Sequence, residues 1–128
     1  MTISGSCLCG GVKFRLNGDL RDVVACHCAQ CRKTSGNYVA ATRVSNKDLV
    51  MDSETTLKWY RSSDVAERGF CNTCGGNLFW RRFGGDATSV MAGTLDPPTG
   101  LKIAQHIFVA EKSDFYDLFD DAGKLERW

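Results

Sequence analysis

The seven cysteines of this 128-residue chain are its most constraining feature, because each lies in a short clip with at least one other cysteine. The three clips are Cys7-x-Cys9, Cys26-x-Cys28-x-x-Cys31 and Cys71-x-x-Cys74. Thiolates two or three positions apart in a tight turn converge on one point, as tetrahedral coordination of a soft metal requires. Glycine pairs follow Cys9 and Cys74, and such glycines can adopt positive φ and turn backbone N–H groups toward the sulfurs. The pattern therefore predicts metal binding.

Other uses of the cysteines fit less well. An odd number of cysteines is poor material for a disulfide framework, and the segment Met1 to Cys9 lacks the basic and apolar regions of an export signal. In a thioredoxin-like site the Cys-x-x-Cys opens a helix, whereas Cys74 is followed by the strand-like Leu78-Phe79-Trp80. Zinc is the expected metal because iron–sulfur clusters usually follow other spacings, although spacing alone leaves iron open.

Ligand counting divides the thiols into four and three, since a structural zinc takes four thiolates and a catalytic zinc keeps one position open. The two-cysteine clips (Cys7, Cys9, Cys71 and Cys74) would close one site, and Cys26, Cys28 and Cys31 would form a second, open site. The alternative is one zinc with three spectator cysteines. Three thiolates leave a zinc centre negative and weak as a Lewis acid, so the open site suits binding of another thiol better than hydrolysis.

Composition limits the function further. Hydrophobic residues make up 43% of the chain and charged residues 24%, with 16 basic against 15 acidic side chains, which is typical of one globular domain. The near-neutral balance argues against a nucleic-acid partner, and no stretch approaches the roughly 20 apolar residues of a membrane helix. We therefore expect a single zinc-binding domain over residues 1–128, located in the cytoplasm.

Hydrophobic alternation and glycine-marked turns predict a mostly antiparallel β domain with small helical turns. The predicted strands are Val12 to Leu16, Val23 to Ala25, Tyr38 to Val44, Leu57 to Arg61, Ala66 to Phe70, Leu78 to Arg82, Ser89 to Leu95 and Lys102 to Val109. Asn17-Gly18-Asp19 is predicted to form a hairpin-type turn and Ala29 to Ser35 one helical turn. A short terminal helix is predicted over Lys112 to Phe119, with Ser113 as its N-cap.

Three segments resemble the glutathione-dependent formaldehyde-activating (GFA) family: Gly5-Ser6-Cys7-Leu8-Cys9-Gly10-Gly11-Val12, Cys26-His27-Cys28-Ala29-Gln30-Cys31-Arg32-Lys33 and Phe70-Cys71-Asn72-Thr73-Cys74-Gly75. Gly93-Thr94-Leu95-Asp96 and His106-Ile107-Phe108 also resemble its pattern, so the likeness covers about residues 5 to 119. The tail from Asp120 to Trp128 departs from the pattern.

The resemblance implies a β-tent of packed antiparallel sheets stabilised by two zinc ions per chain. It implies a structural zinc on Cys7, Cys9, Cys71 and Cys74, and a second zinc on Cys26, Cys28 and Cys31. The activity it implies is that of a carbon–sulfur lyase acting in reverse, which joins formaldehyde to glutathione as S-(hydroxymethyl)glutathione.

Other residues are candidates for roles around the open site. His27 lies between two ligands in an extended segment, so it should point away from the metal, as a supporting or surface residue. His106 is either a hydrogen-bonded core histidine or a catalytic residue that transfers a proton at the bound thiol. Arg32 and Lys33, next to Cys31, are either partners for substrate carboxylates or plain surface charge.

Arg68, Arg81 and Arg82 could bind carboxylates equally well, and nothing in the sequence selects among them. The aromatic residues Trp59, Phe79, Trp80 and Phe83 are expected to pack the sheets rather than to stack on a base. We therefore expect an enzyme that binds a small thiol such as glutathione and joins it to an aldehyde. A thiol carrier or sensor without turnover is the first alternative. A zinc-stabilised interaction module, with a histidine or outside ligand completing the second site, is the other.

Overall fold

The computed structural model describes residues 1–128 as two β-sheets with one short α-helix, which confirms the predicted mostly β class. The strands are β1 (Ile3–Ser6), β2 (Val12–Leu16), β3 (Val23–Cys26), β4 (Val39–Ser45), β5 (Leu49–Glu54), β6 (Leu57–Arg61), β7 (Ala66–Cys71), β8 (Asn77–Arg82), β9 (Ala87–Met91), β10 (Ile103–Ile107) and β11 (Gly123–Lys124). The helix α1 spans Ala29–Ser35, and 3₁₀ turns occupy Asn46–Asp48, Ala92–Thr94 and Val109–Glu111.

The small sheet has three antiparallel strands in the order β1-β2-β5. The large sheet has eight strands in the order β11-β10-β3-β4-β9-β8-β7-β6, and only β10 pairs in parallel, with β3 and β11. The predicted hairpin at Asn17-Gly18-Asp19 is wrong, because β2 and β3 belong to different sheets. Alternate β2 side chains from Val12 to Leu16 are buried in the core between the sheets, so the turn carries the chain from one sheet to the other.

The large sheet has two different faces. Phe79 packs into the core against the small sheet, where its ring meets that of Phe14 edge-on at 5.1 Å between centroids. Its neighbour Trp80 points to the opposite face, because successive side chains of a strand alternate. A smaller apolar cluster of Cys31, Val39, Ala41 and Met91 covers that second face beside α1. One face therefore holds the fold together and the other is available for a site.

Several element boundaries differ from expectation. The predicted helix over Lys112 to Phe119 is absent: the Lys112 ammonium donates to the carbonyls of Ser113 and Tyr116, and the segment follows an irregular path. The strand predicted over Ser89 to Leu95 ends at Met91, where a 3₁₀ turn begins. No helix is both long and apolar enough to cross a membrane.

Candidate metal centres and the adjoining cavity

The first cysteine cluster joins the turn after β1 to the turn between β7 and β8. The sulfur atoms of Cys7, Cys9, Cys71 and Cys74 all lie within 4.8 Å of one another. Two of these separations are 3.7 Å (Cys7 to Cys9) and 3.5 Å (Cys9 to Cys71). Four sulfurs around one zinc, each at about 2.3 Å, would be roughly 3.8 Å apart. The cluster is therefore close to the size that tetrahedral zinc requires.

Backbone N–H groups point at these sulfurs. Val12 donates to Cys7 Sγ at 3.3 Å, while Thr73 and Cys74 donate to Cys71 Sγ at 3.4 and 3.3 Å. The pKa of Cys71 is lowered to about 5, first by the Cys74 N–H and then by the hydroxyl of Thr56. Gly10 and Gly75 have φ of 81° and 77°, which lets the two turns close as the glycine pairs predict.

The second cluster, Cys26, Cys28 and Cys31, lies at the end of β3 and the start of α1, with its sulfurs also within 4.8 Å of one another. Cys28 caps the helix by accepting the N–H of Cys31 at 3.4 Å. Hydrogen bonds from the Cys26 and Cys31 thiols lower the pKa of Cys28, and the nearby Arg68 guanidinium acts in the same direction. No histidine or carboxylate joins these three thiols.

Both donor sets fit a soft metal ion. Each consists of thiols alone, held within one coordination sphere by turns whose N–H groups favour thiolates. The four-thiol set matches a closed structural site and the three-thiol set a site with one position left for another ligand. The clusters thus reproduce the division that ligand counting predicts, and either could hold a metal ion.

The second cluster opens onto a cavity of about 570 Å³ on the outer face of the large sheet. Its floor is made by alternate side chains of neighbouring strands. Its rim is formed by the start of α1, Phe108, Glu111 and Trp128. The apolar part of the lining includes Val24, Val39, Ala41, Trp80 and Met91. Four arginines also line it: Arg21, Arg43, Arg68 and Arg82. The three thiols therefore face a half-open cavity that is large enough for a small organic ligand.

Residues 2–111 match the family model described as glutathione-dependent formaldehyde-activating enzyme, GFA. The chain belongs to the GFA family. Over 76 residues, 59% of the chain, it is 33% identical to an uncharacterized lyase of Schizosaccharomyces pombe. The alignment spans only 55% of that relative. A crystal structure of a Rhodobacter sphaeroides protein is similar at a TM-score of 0.62 and 25% identity, covering 76% of this chain and 91% of that one.

In this GFA protein His27 and His106 form a buried pair behind the second cluster. His27 Nε2 lies 2.9 Å from His106 Nδ1, and His27 Nδ1 lies 2.5 Å from the Tyr116 hydroxyl. His106 Nε2 lies 2.8 Å from Asp120 Oδ2, and this bond lowers the pKa of Asp120. Burial lowers the pKa of His27 to about 4, so its ring is neutral at pH 7. Tyr116 and Asp120 come from the segment beyond the GFA match.

These hydrogen bonds test the positions that the sequence predicts for the two histidines. His27 is fully buried, so a surface position for it is wrong. Both of its ring nitrogens face Tyr116 and His106 rather than the thiols, and it does not complete the second cluster. His106 is 1% exposed and lies between His27 and Asp120, as a hydrogen-bonded core histidine would. Its catalytic role stays a prediction.

Arg32 and Lys33 lie on α1 but do not line the cavity. The Arg32 Nε donates to the carbonyl of Glu111 at 3.0 Å, which fixes this side chain against the 3₁₀ turn, and Lys33 is exposed. Both follow the cluster in sequence, yet the helix turns them away from the floor of the large sheet. Their role in substrate binding stays a prediction without support from the cavity.

The aromatic residues divide between the faces. Phe79 lies in the core and Trp59 stacks on it at 6.0 Å, with the Arg81 guanidinium on the other side of Trp59 at 3.7 Å. Trp80 lines the cavity and Phe83 is exposed, so the expectation that all four pack between the sheets is wrong for these two. Arg21 and Arg43 are not singled out by the sequence, because only contacts between distant segments bring them to the cavity.

Proposed function

We propose that this chain is a zinc-dependent carbon–sulfur lyase of the GFA type, which joins a glutathione-like thiol to an aldehyde such as formaldehyde. In this proposal residues 1–128 act as one cytoplasmic domain with two zinc ions. Cys7, Cys9, Cys71 and Cys74 hold the structural ion, and Cys26, Cys28 and Cys31 hold the ion at which the thiol binds.

One observation carries the proposal: a cluster of three thiols, without a fourth protein donor, lies in the wall of a cavity of about 570 Å³. The four-thiol cluster is instead held between turns and borders no such space. The family description names glutathione and formaldehyde, and the Schizosaccharomyces pombe relative is named a lyase. A site with three thiolates favours a thiol over water as its further ligand, which agrees with these names.

The proposed reaction forms one carbon–sulfur bond. Bound zinc supplies a soft cation that favours the thiolate form of the substrate. The thiolate sulfur attacks the aldehyde carbon, the π pair of the carbonyl moves to its oxygen, and that oxygen takes up the proton released by the thiol. The product is a hemithioacetal, R–S–CH₂–OH in the case of formaldehyde, and the reverse reaction is the lyase direction.

The chain's own residues would contribute charge and confinement. Arg68 is 5% exposed and its Nη2 lies 3.7 Å from Cys31 Sγ, so its positive charge stabilises negative charge at the cluster. Val39, Ala41 and Met91 provide an apolar wall beside the thiols, which limits the water near the attacking sulfur. Holding thiol and aldehyde in one cavity supplies proximity, which we expect to be the larger part of the rate effect.

The decisive experiment combines metal analysis, binding and turnover on the zinc-loaded protein. We expect two zinc ions per chain, binding of glutathione by calorimetry, and hemithioacetal formation from glutathione and formaldehyde above the uncatalysed rate, followed by NMR. Cys28→Ala should remove both binding and rate enhancement. Arg15→Gln is the control, because Arg15 is an exposed residue of the small sheet that does not line the cavity, so binding and rate should match the wild type.

The outcomes separate the candidate functions. Glutathione binding that depends on Cys28 but brings no rate enhancement would leave a carrier or sensor. Absence of binding, or binding that Cys28→Ala does not change, would contradict the proposal and leave an interaction module stabilised by metal.

A further inference from the structure

Three of the four arginines of the cavity are ordered by backbone pairing into a row across the large sheet. Arg43 of β4 pairs with Ser89 of β9, Ser89 pairs with Trp80 of β8, and Trp80 pairs with Arg68 of β7. On the other side of β4, the backbone N–H of Arg21 donates to the carbonyl of Arg43. We call Arg21, Arg43 and Arg68, which stand at this one cross-strand level, the arginine row.

No carboxylate neutralises the row. None of its members forms an ion pair in the structure, although Arg15 and Arg81 elsewhere both do. Glu111 is the only acidic residue on the cavity, and its Oε1 accepts the backbone N–H of Ala29 instead. Burial, and after it the charge of Arg43, lowers the pKa of Arg21, which reflects two cations placed side by side.

Two guanidinium nitrogens of the row are buried without a hydrogen-bond partner: the Nε atoms of Arg43 and Arg68. The Arg68 side chain has only long contacts, 3.4 Å to Gln30 Oε1 and 3.7 Å to Cys31 Sγ. Leaving a buried charged donor unpaired is costly, so such a group calls for a partner, and a bound ligand can supply it. A row of cations with free donors in a cavity is the arrangement that an anionic ligand requires.

The row also lies at a useful distance from the thiols. The backbone of Arg68 pairs with Trp80 at the level of the row, and its guanidinium reaches Cys31 Sγ. This one side chain therefore spans from the row to the cluster. Val39, which pairs with Cys26, and Arg43 are four positions apart on β4, about 13 Å at the usual rise per residue. A ligand of tripeptide size can therefore place a thiol at the cluster and an acidic group at the row.

We propose that the arginine row is a carboxylate subsite, which selects thiols that carry a carboxylate several bonds from the sulfur. The inference rests on the proposed function for the position of the thiol and adds the residues that recognise the rest of the substrate. Arg43 donates to the carboxylate and Arg21 adds charge beside it, while Arg68, whose guanidinium reaches Cys31, extends the positive charge from the row to the cluster. Small neutral or cationic thiols gain nothing from the row.

Calorimetric titration of the zinc-loaded full chain with three probes tests this subsite. S-methylglutathione carries the carboxylates but has no thiol proton to lose, cysteamine carries a thiol but no carboxylate, and glutathione carries both. We expect Arg43→Gln to weaken the binding of S-methylglutathione at least tenfold. A tenfold loss is the lower end of the range expected when a hydrogen bond to a charged group is removed. Cysteamine binding should stay within twofold. Arg15→Gln, on the small sheet, is the matched control and should bind all three probes like the wild type.

Arg43→Gln should fold normally, because it removes one of two adjacent half-buried cations, and its urea midpoint should equal or exceed that of the wild type. Unchanged S-methylglutathione affinity in Arg43→Gln, or no S-methylglutathione binding by the wild type, would overturn the subsite. If thiols still bind at the cluster when the subsite fails this test, the proposed function stands. Arginine-dependent S-methylglutathione binding without thiol binding at the cluster would support the subsite and contradict the proposed function.

Discussion

The two cysteine clusters use the same chemistry in opposite surroundings. The first takes its four thiols from two turns, and Cys9 and Cys71, which lie 62 positions apart in sequence, are in contact there. The second takes its three from one segment of six residues, Cys26 to Cys31, at the wall of a cavity. The first thus joins distant parts of the chain, and the second places three thiols beside a cavity, on a sheet that other contacts already hold.

The two clusters should therefore contribute differently to the stability of the fold and to ligand binding. A metal that bridges distant turns contributes its binding energy to the folded state, because the ligands meet only there. A metal held by a local segment contributes less to the fold and leaves its surroundings free to serve a ligand. The comparison predicts that equivalent changes in the two clusters have unequal effects.

Cys71→Ser should have the largest effect. Cys71 is fully buried, and losing its sulfur removes a ligand from the proposed structural site, where a bound zinc would contribute on the order of 10 kcal/mol. That is comparable with the roughly 5–15 kcal/mol stability of a whole domain. We expect loss of the near-ultraviolet circular dichroism signal and of cooperative unfolding. A folded variant that retains one zinc would show that the first cluster is not structural.

Cys28→Ala should reduce the zinc content from two ions to one and leave the fold intact. We expect the melting temperature to fall by less than about 5 °C, corresponding to roughly 1 kcal/mol for a domain of this size. Thermal unfolding followed together with zinc content measures both quantities. Unfolding as complete as that of Cys71→Ser would remove the distinction between the clusters.

His106→Leu tests whether the histidine pair supports the second cluster. It leaves His27 Nε2 without its partner in a buried place, so we expect a loss of about 1–3 kcal/mol in the free energy of unfolding by urea. Tyr116→Phe removes only the hydroxyl beside His27 Nδ1 and should cost less. Equal stability of His106→Leu and the wild type would mean that the pair does not hold this region together.

Arg15→Gln should have the smallest effect and sets the baseline for the others. Arg15 pairs with Asp52 at 2.9 Å, but both side chains are more than two-fifths exposed, and such pairs contribute little. We expect no measurable change in the urea midpoint, the zinc content or the thiol binding. A shift as large as that of His106→Leu would show that the small sheet is more sensitive than its exposure implies.

The sequence was sufficient to group the cysteines into two clusters and to place most of the strands. Clip spacing depends on local chain geometry, so Cys26, Cys28 and Cys31 could be grouped without knowing the fold. The same is true of strands such as β2 and β6, whose boundaries were predicted as they are observed. The three-cysteine clip and these strands are local, and local patterns are what a single sequence reports. The four-cysteine cluster is not local, and ligand counting across two clips grouped it.

Features that depend on distant contacts were missed or wrong. The arginine row exists only because β4, β9, β8 and β7 are neighbours in the sheet, which no local pattern shows. The segment after Lys112 was predicted as a helix, but Tyr116 and Asp120 instead bind the buried histidines. Tertiary hydrogen bonds outweighed the weak helical preference of these residues.

The separation of the clusters along the chain sets an order of assembly during synthesis. A chain emerging from the ribosome completes the Cys26–Cys31 clip early, whereas Cys7 and Cys9 must wait until Cys74 has emerged. Because translation adds roughly 5–20 residues per second, that wait lasts on the order of seconds. In the proposed two-zinc protein, two waiting thiols and a complete three-thiol clip would compete for the same ion during that time, and zinc supply would then affect how the nascent chain closes.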